Sequence, residues 1–404
     1  MSEKNCLSCK SYNTHSIYDF GNMPAVNSFY SLENIEEEQS FPMKLNYCSD
    51  CWLVQIENVP SPSKLYSEYH HKSSASKGNV DHLISFKNMI EENYSKDTQI
   101  LEVGSNDSTL LNLLLKEGYQ CIGVDPAKNL NEKHENVVTD FFGTNIVSSL
   151  KKNYGKYDLI FGLNVFAHND SFIDMFSAVE ELLNQDGDFI LDIAYARETI
   201  LQGNFDTIYH EHVCSYTLTS LKNALEIAKL VVVNVQELPS QGGSLRVFCK
   251  KMSDSYQANS NVEKLLEVEK SLGFETKDFY DELKIEITNK VSKINDFIND
   301  INNFRKKILF IGAPARGVVV LNLIKNLNIS ECLVLDDTPE KQHKLFPGKH
   351  IEVKSWNNKG FDINKFDVAV ILSWNYAEYL FDRIKKLNFN KDTFVLIPTI
   401  KKLN

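Results

Sequence analysis

Apolar residues along the chain fall in short runs separated by amphipathic stretches. The segment HLISFKNMIEENY from His82 is helical in character and leads into the apolar strand QILEVG at 99–104. CIGVD at 121–125, YDLIFGLN at 157–164 and DFILDIA at 188–194 read as further strands, with a helix near 170–184 before the last. Strands that alternate with helical segments indicate a parallel, doubly wound α/β sheet. VVVNVQEL (231–238) and SLRVFCKK (244–251) read as its closing antiparallel strands. Between 260 and 305, Leu283, Ile287, Val291, Ile294, Ile298 and Ile301 recur at spacings of three and four. That spacing gives a helix one apolar face and predicts a connector packed on the sheet. A second α/β unit follows, with strands KILFIG (307–312), CLVLDD (332–337) and DVAVIL (367–372) and a helix starting near Arg316.

The N-terminal segment differs. It holds short strand-like pieces and turns with little apolar mass, too little surface to fold alone, so a metal staple is expected. Two CxxC pairs, Cys6/Cys9 and Cys48/Cys51, offer it. Four thiolates give tetrahedral Zn2+ a closed shell with no place for a reactive water, so this zinc is read as structural. Cys121, Cys214, Cys249 and Cys332 lie in or beside apolar runs and read as small buried hydrophobes.

A chain of 404 residues is long for one core. The expected division is a zinc-binding module at 1–75, a central α/β domain at 76–255, a helical connector at 256–305 and a second α/β domain at 306–404. A net charge of -11 argues against a broad nucleic-acid surface. No apolar run approaches the roughly 18 residues that span a bilayer. The start MSEKNCLSCK lacks the apolar core of a secretory signal. A cytoplasmic protein with reduced cysteines, no nucleic-acid partner and no membrane partner is expected.

Three constellations carry candidate chemistry. The first, LEVGSND at 101–107, ends the first strand. Gly104 lets the backbone approach a ligand there, and Asn106 follows. Asp125, before Pro126, ends the next strand and can accept hydrogen bonds from both ribose hydroxyls of an adenosine. GSNDS stands where a dinucleotide site would show GxGxxG, which disfavours NAD and favours a phosphate-free nucleoside such as S-adenosylmethionine. Phe141 could clamp an adenine, while Asn164 and His168 border the crevice after the fourth strand.

The second constellation is Tyr209-His210-Glu211-His212, closed by Tyr216. In extended backbone the two histidines would share one face and Tyr209 and Glu211 the other. Acid–base chemistry, a metal site lacking an evident third ligand, and satisfied core residues all remain open for it. The third comprises two glycine turns. Gln241–Arg246 offers Gly243 and a cation, Arg246, and Gly312–Gly317 carries Arg316 and suits a phosphate or nucleotide.

With Tyr69–Ser76 (YHHKSSAS) and DDTPEKQHKLFPGKHI at 336–351, these motifs stand in an order that resembles one family over essentially the whole chain. It is that of the S-adenosylmethionine-dependent sugar C-methyltransferases acting on nucleotide-linked 4-keto-deoxysugars. The resemblance implies a zinc module, a central class I methyltransferase domain and a C-terminal Rossmann-like domain, with the nucleotide sugar between domains. By similarity, His212 is the base that takes the C-3 proton beside the C-4 ketone, and Tyr209 and Glu211 assist at the keto oxygen and orient the base. Gly104, Asn106, Asp125, Pro126, Phe141, Asn164 and His168 are expected around the cofactor. Tyr69, His71, Ser73, Ser74, Gly243, Arg246 and Arg316 are expected around the substrate. Two positions depart from the family pattern: His71 replaces a tyrosine of Y-x-Y-x-S-S, and Ser108 replaces the glycine after GSND. The first changes a substrate contact and leaves the sugar open, a keto-heptose included. The competing readings are a sugar O-methyltransferase, a non-catalytic zinc-containing nucleotide-sugar-binding protein and a hydrolase with a second metal. A monomer is expected, and His210 has no assigned role.

Overall fold

The computed structural model describes residues 5–57, 60–61, 72–75, 77–131, 134–201, 204–239, 243–253, 256–356 and 361–404. The N-terminal module forms β1 (Thr14–Pro24), β2 (Ser40–Cys48) and β3 (Val54–Glu57), paired antiparallel. Met43, Leu45 and Tyr47 alternate along β2, while Ile17, Phe20 and Met23 recur every third residue along β1, whose register shifts twice, and all six are buried.

The central sheet begins after helix α1 (Lys77–Asn93), whose buried Leu83, Phe86 and Ile90 pack on one face of it. Its first five strands are β4 (Gln99–Val103), β5 (Gln120–Val124), β6 (Val137–Val138), β7 (Tyr157–Leu163) and β8 (Leu183–Ala194). The chain then leaves the sheet. A two-residue strand, β9 (Cys214–Ser215), pairs with β3 and becomes the fourth strand of the N-terminal sheet. It returns as β10 (Leu230–Leu238) and β11 (Ser244–Lys251), giving the order β10-β11-β8-β7-β4-β5-β6. β4 to β8 are parallel, and β11 runs antiparallel to β8. This is the doubly wound α/β sheet expected from the strand–helix alternation. The order reverses between β4 and β7, so a ligand crevice opens at their carboxyl ends.

Helix α2 (Lys277–Asn303) buries the six expected apolar positions together with Tyr280. It does not pack on the central sheet. Its stripe lies in one cluster with Ile17, Met43 and Leu45 of the N-terminal sheet and Ile308, Phe310 and Val318 of the C-terminal unit. The physical reason is that both faces of the central sheet are already covered. α1 covers one, and helices Thr144–Tyr154, Phe172–Leu182 and Leu218–Ile227 cover the other. Tyr47 of β2 and Tyr280 of α2 stack at 4.0 Å.

The C-terminal unit contains β12 (Ile308–Ile311), helix α3 (Ala315–Asn322), β13 (Cys332–Leu335), β14 (Val353–Lys354), β15 (Val368–Ile371), β16 (Asp392–Val395) and β17 (Lys401–Lys402). The order is β14-β13-β12-β15-β16-β17, parallel except for β17. Among the described residues no helix is long and apolar enough to cross a membrane.

Candidate active site

The sulfur atoms of Cys6, Cys9, Cys48 and Cys51 all lie within 4.8 Å of one another. Cys6 and Cys51 are 3.5 Å apart, and Cys9 and Cys48 3.6 Å. Those separations exceed a disulfide bond and are near the roughly 3.8 Å between thiolates on a tetrahedral Zn2+. The two turns match: Lys10 N donates to Cys6 O and Trp52 N to Cys48 O, and both Lys10 and Trp52 have positive φ. The donor set fits structural zinc.

This module holds the Tyr209–His212 run. Beyond the β3–β9 pairing, Ile56 N donates to Val213 O at 2.9 Å, and Asn27 Nδ2 donates to Glu211 Oε1 at 2.7 Å. The run is a turn and not the extended piece the sequence suggested, because His212 N donates to Tyr209 O at 2.8 Å. The turn brings Tyr209 and His212 together and sends His210 the other way. His210 Nε2 meets Pro42 O at 3.3 Å and the ring lies edge-on to Phe41, so this histidine docks the run on β2. The two histidines therefore do not share a face, and among the described residues the four cysteines form the one metal-competent group. Tyr216 is buried, and its hydroxyl donates to Phe166 O.

His212 Nδ1 lies 2.7 Å from Thr207 O. A carbonyl only accepts, so Nδ1 carries the hydrogen and Nε2 holds the lone pair. Tyr209 donates its hydroxyl to that Nε2 at 2.9 Å. Burial, opposed by the Thr207 contact and assisted by the Arg316 charge, lowers His212 to about 4. Burial first, then the charge of Glu211, pushes Tyr209 up. At neutral pH the pair is thus an unprotonated imidazole and a protonated phenol. The His168 ring stacks on His212 at 5.2 Å, which puts it beside this pair.

At the carboxyl end of β4, Gly104 has φ +72°, and a Cβ there would come within 2.7 Å of Val165. Asn106 N donates to Asp125 Oδ2 and Ala127 N to Asp125 Oδ1, both at 2.9 Å. Oδ1 also accepts from Asn131 Nδ2 at 3.3 Å, so Oδ2 is the carboxylate oxygen that keeps lone-pair capacity. Ser73 N donates to Asn106 Oδ1, and Ser74 donates N–H and O–H to Asp107 Oδ2, so this pair docks on the GSND loop. Asn164 ends β7 with φ +57°, its N donating to Asp192 O. Pro126 and Phe141 are half-buried after their strands. Glu102 Oε2 and Ser105 Oγ are buried without a hydrogen-bond partner among the described residues. Burial first, then Asp125, holds Glu102 well above the usual carboxylate range. A backbone cradle flanked by orphaned polar atoms fits a nucleoside cofactor.

Ser108 has φ +57°, which explains why glycine is usual there. Its hydroxyl turns inward to Asn131 Oδ1 at 3.0 Å.

Arg246 corrects an expectation. It pairs bidentately with Asp192 (Nε–Oδ1 and Nη2–Oδ2, both 2.8 Å), lies over the Phe86 ring and is 5% exposed. β11 pairs with β8 so that Arg246 faces Asp192, which engages its guanidinium. His82 Nε2 completes this network at 2.9 Å from Asp192 Oδ2. Gly243 precedes β11 with φ +118°, its carbonyl accepting from Tyr195 N. Tyr69 and His71 lie outside the described residues. Arg316, in the first turn of α3, stands over Trp374 at 5.5 Å and contributes its charge to both Tyr209 and His212.

Sequence reasoning missed several supporting residues. Asp336 Oδ2 accepts from Ala313 N and Lys341 Nζ donates to Ala313 O, bracketing the turn that carries Arg316. Asn27, Thr207, Asp206 and Trp374 lie around the Tyr209–His212 run and belong to no motif. The Asn27–Glu211 and Asp206–Trp374 pairs join residues distant in sequence.

Three family models match consecutive segments: a putative zinc binding domain at 6–66, a methyltransferase domain at 78–235 and a C-methyltransferase C-terminal domain at 239–398. The C-methyltransferase NovU of Streptomyces niveus is 26% identical over 400 residues, covering 97% of this chain and 94% of that protein. Among solved structures, magnesium protoporphyrin IX methyltransferase from Synechocystis with bound S-adenosylmethionine aligns at 15% identity and a TM-score of 0.32, over 44% of this chain and 80% of that one. An S-adenosylmethionine-dependent methyltransferase from Clostridium acetobutylicum aligns at 15% identity and a TM-score of 0.34, over 45% and 94%. Zinc module, methyltransferase sheet and C-terminal unit thus follow one another as the matched models do, and the matches together support an S-adenosylmethionine-dependent C-methyltransferase with an N-terminal zinc-binding module.

Proposed function

We propose that this enzyme methylates C-3 of a nucleotide-linked 4-keto-deoxysugar, with His212 as the base. The observation that carries this reading is the Tyr209–His212 pair, whose tautomer leaves Nε2 basic and whose phenol stays protonated. Nε2 takes the C-3 proton, and the C–H electron pair moves into the C3–C4 bond as charge builds on the keto oxygen. Tyr209 turns its hydroxyl from Nε2 to that oxygen, so one group both frees the base and stabilises the enolate. Burial first, and then the charge of Glu211, held by Asn27, keep the Tyr209 phenol protonated. The cofactor supplies an electrophilic methyl group to the enolate carbon. Gly104, Asn106, Asp125, Pro126, Phe141 and Asn164 are assigned to its cradle. Ser73, Ser74 and Arg316 are assigned to the nucleotide-sugar side, and alignment of the two substrates contributes much of the rate.

The test is hydrogen exchange at C-3 of thymidine diphosphate 4-keto-6-deoxyglucose and related nucleotide sugars in deuterated water, without cofactor. Exchange with the wild-type protein and its loss in His212→Asn are expected. Methyl transfer to a hydroxyl, with no carbon-bound exchange on any sugar, would overturn the reading.

A further inference from the structure

One backbone carbonyl, that of Thr207, orients the His212 ring, and it closes a short 3-10 turn, Phe205–Thr207. Thr207 N and Oγ1 both donate to Asn204 O, which tightens the turn. In its middle lies Asp206, 0% exposed. Oδ2 of Asp206 accepts from Trp374 Nε1 at 2.8 Å, whereas Oδ1 has no hydrogen-bond partner among the described residues. A buried carboxylate with an unfilled oxygen is a costly choice for a position that core packing alone could fill with an apolar side chain.

Its surroundings supply a reason. Trp374 follows β15 in the C-terminal unit and carries the Arg316 guanidinium over its indole. Arg316 opens α3, so Trp374 and Arg316 bring the C-terminal unit to the turn that carries Asp206. The turn beside the base is thus bonded to a different domain through one indole N–H. Arg316 and Lys290 of α2 place positive charge near Asp206. Around the base itself stand Tyr209, Glu211, His168 and Arg316.

We propose that Asp206 is a positioning residue for the base. With Trp374 it fixes the Phe205–Thr207 turn so that Thr207 O holds Nδ1–H and Nε2 remains the basic atom. Deprotonation is thereby coupled to docking of the C-terminal unit. This rests on His212 being the base, and the experiment separates the two claims.

Full-length Asp206→Asn, Trp374→Phe and His212→Asn are compared with wild type. Ring 15N shifts of His212 in the ligand-free protein report the tautomer. C-3 hydrogen exchange on thymidine diphosphate 4-keto-6-deoxyglucose reports deprotonation, and calorimetry reports S-adenosylmethionine affinity. Wild type should show Nδ1–H alone. Asp206→Asn and Trp374→Phe should show a mixture of tautomers and an exchange rate lowered roughly 10- to 100-fold, with cofactor affinity unchanged. The inference is overturned if either folded variant keeps the single tautomer and wild-type exchange. Should Asp206→Asn not fold, Trp374→Phe, which removes only the N–H and trims the ring, carries the test. If His212→Asn exchanges at the wild-type rate, the base assignment falls and the positioning role with it. If His212→Asn alone loses exchange, only the positioning role falls.

Discussion

His212 gives one ring nitrogen to a backbone carbonyl and the other to a phenol; the carbonyl contact by itself favours the charged ring, but burial outweighs it. Its proton affinity falls from 6.5 to about 4 on folding, chiefly through burial. Between those values the unfolded chain binds more protons than the folded one. The stability contributed by keeping His212 neutral is therefore complete above about pH 6.5 and lost as the pH falls toward 4. The ring is partly open to the crevice, so this amounts to at most about 3 kcal/mol. Denaturant midpoints should drop between about pH 7.5 and about pH 4.5, and drop less in His212→Asn. Equal drops would refute the assignment. His210, lowered in the same direction by burial, accounts for part of what remains. At this scale Tyr209 and His212 were legible because four polar side chains in succession are hard to bury. Asn27 and Trp374 were not, since each meets its partner across 184 and 168 residues. Arg246 was misread for the same reason: only the β11–β8 register shows that Asp192 occupies it.

Among the elements, the central strands were legible from alternation, whereas β9 was invisible. Two residues carry no periodicity, and their pairing with β3 depends on a module far upstream. The same gap hid the turn at Tyr209–His212, which has no glycine, proline or asparagine to announce it. β9 makes the metal matter to the chemistry without touching it. Stripping zinc with a chelator should remove amide protection at Val54–Glu57 and Val213–Ser215 together, while β4 and β7 keep theirs. Hydrogen exchange read by mass spectrometry decides this. Continued protection at 213–215 in the metal-free protein would show that β9 does not depend on the zinc module.

For the whole molecule, the succession of three bodies was readable in the sequence, but not their contacts. The apolar stripe of α2 was correctly placed on one face, but the partner expected for it, the central sheet, was wrong, because the faces of that sheet are already covered. Because α2 shares one cluster with the first and third sheets, those bodies should unfold together. Ile298→Ala, at a fully buried site, should cost about 2–5 kcal/mol and lower the midpoints reported by Trp52 and Trp356 equally. Two separated transitions would show that the cluster does not couple them. The late arrival of β9 also bears on biosynthesis. At roughly 5–20 residues per second, the ribosome delivers Cys214–Ser215 on the order of 10–30 s after β3 is made. Throughout that interval β3 presents an unpaired edge bearing Val54 and Ile56 to its neighbours, the kind of edge along which nascent chains on one polysome stick together. Yield in a foreign host should therefore depend on slow, chaperone-attended elongation through the middle of the message as much as on zinc supply.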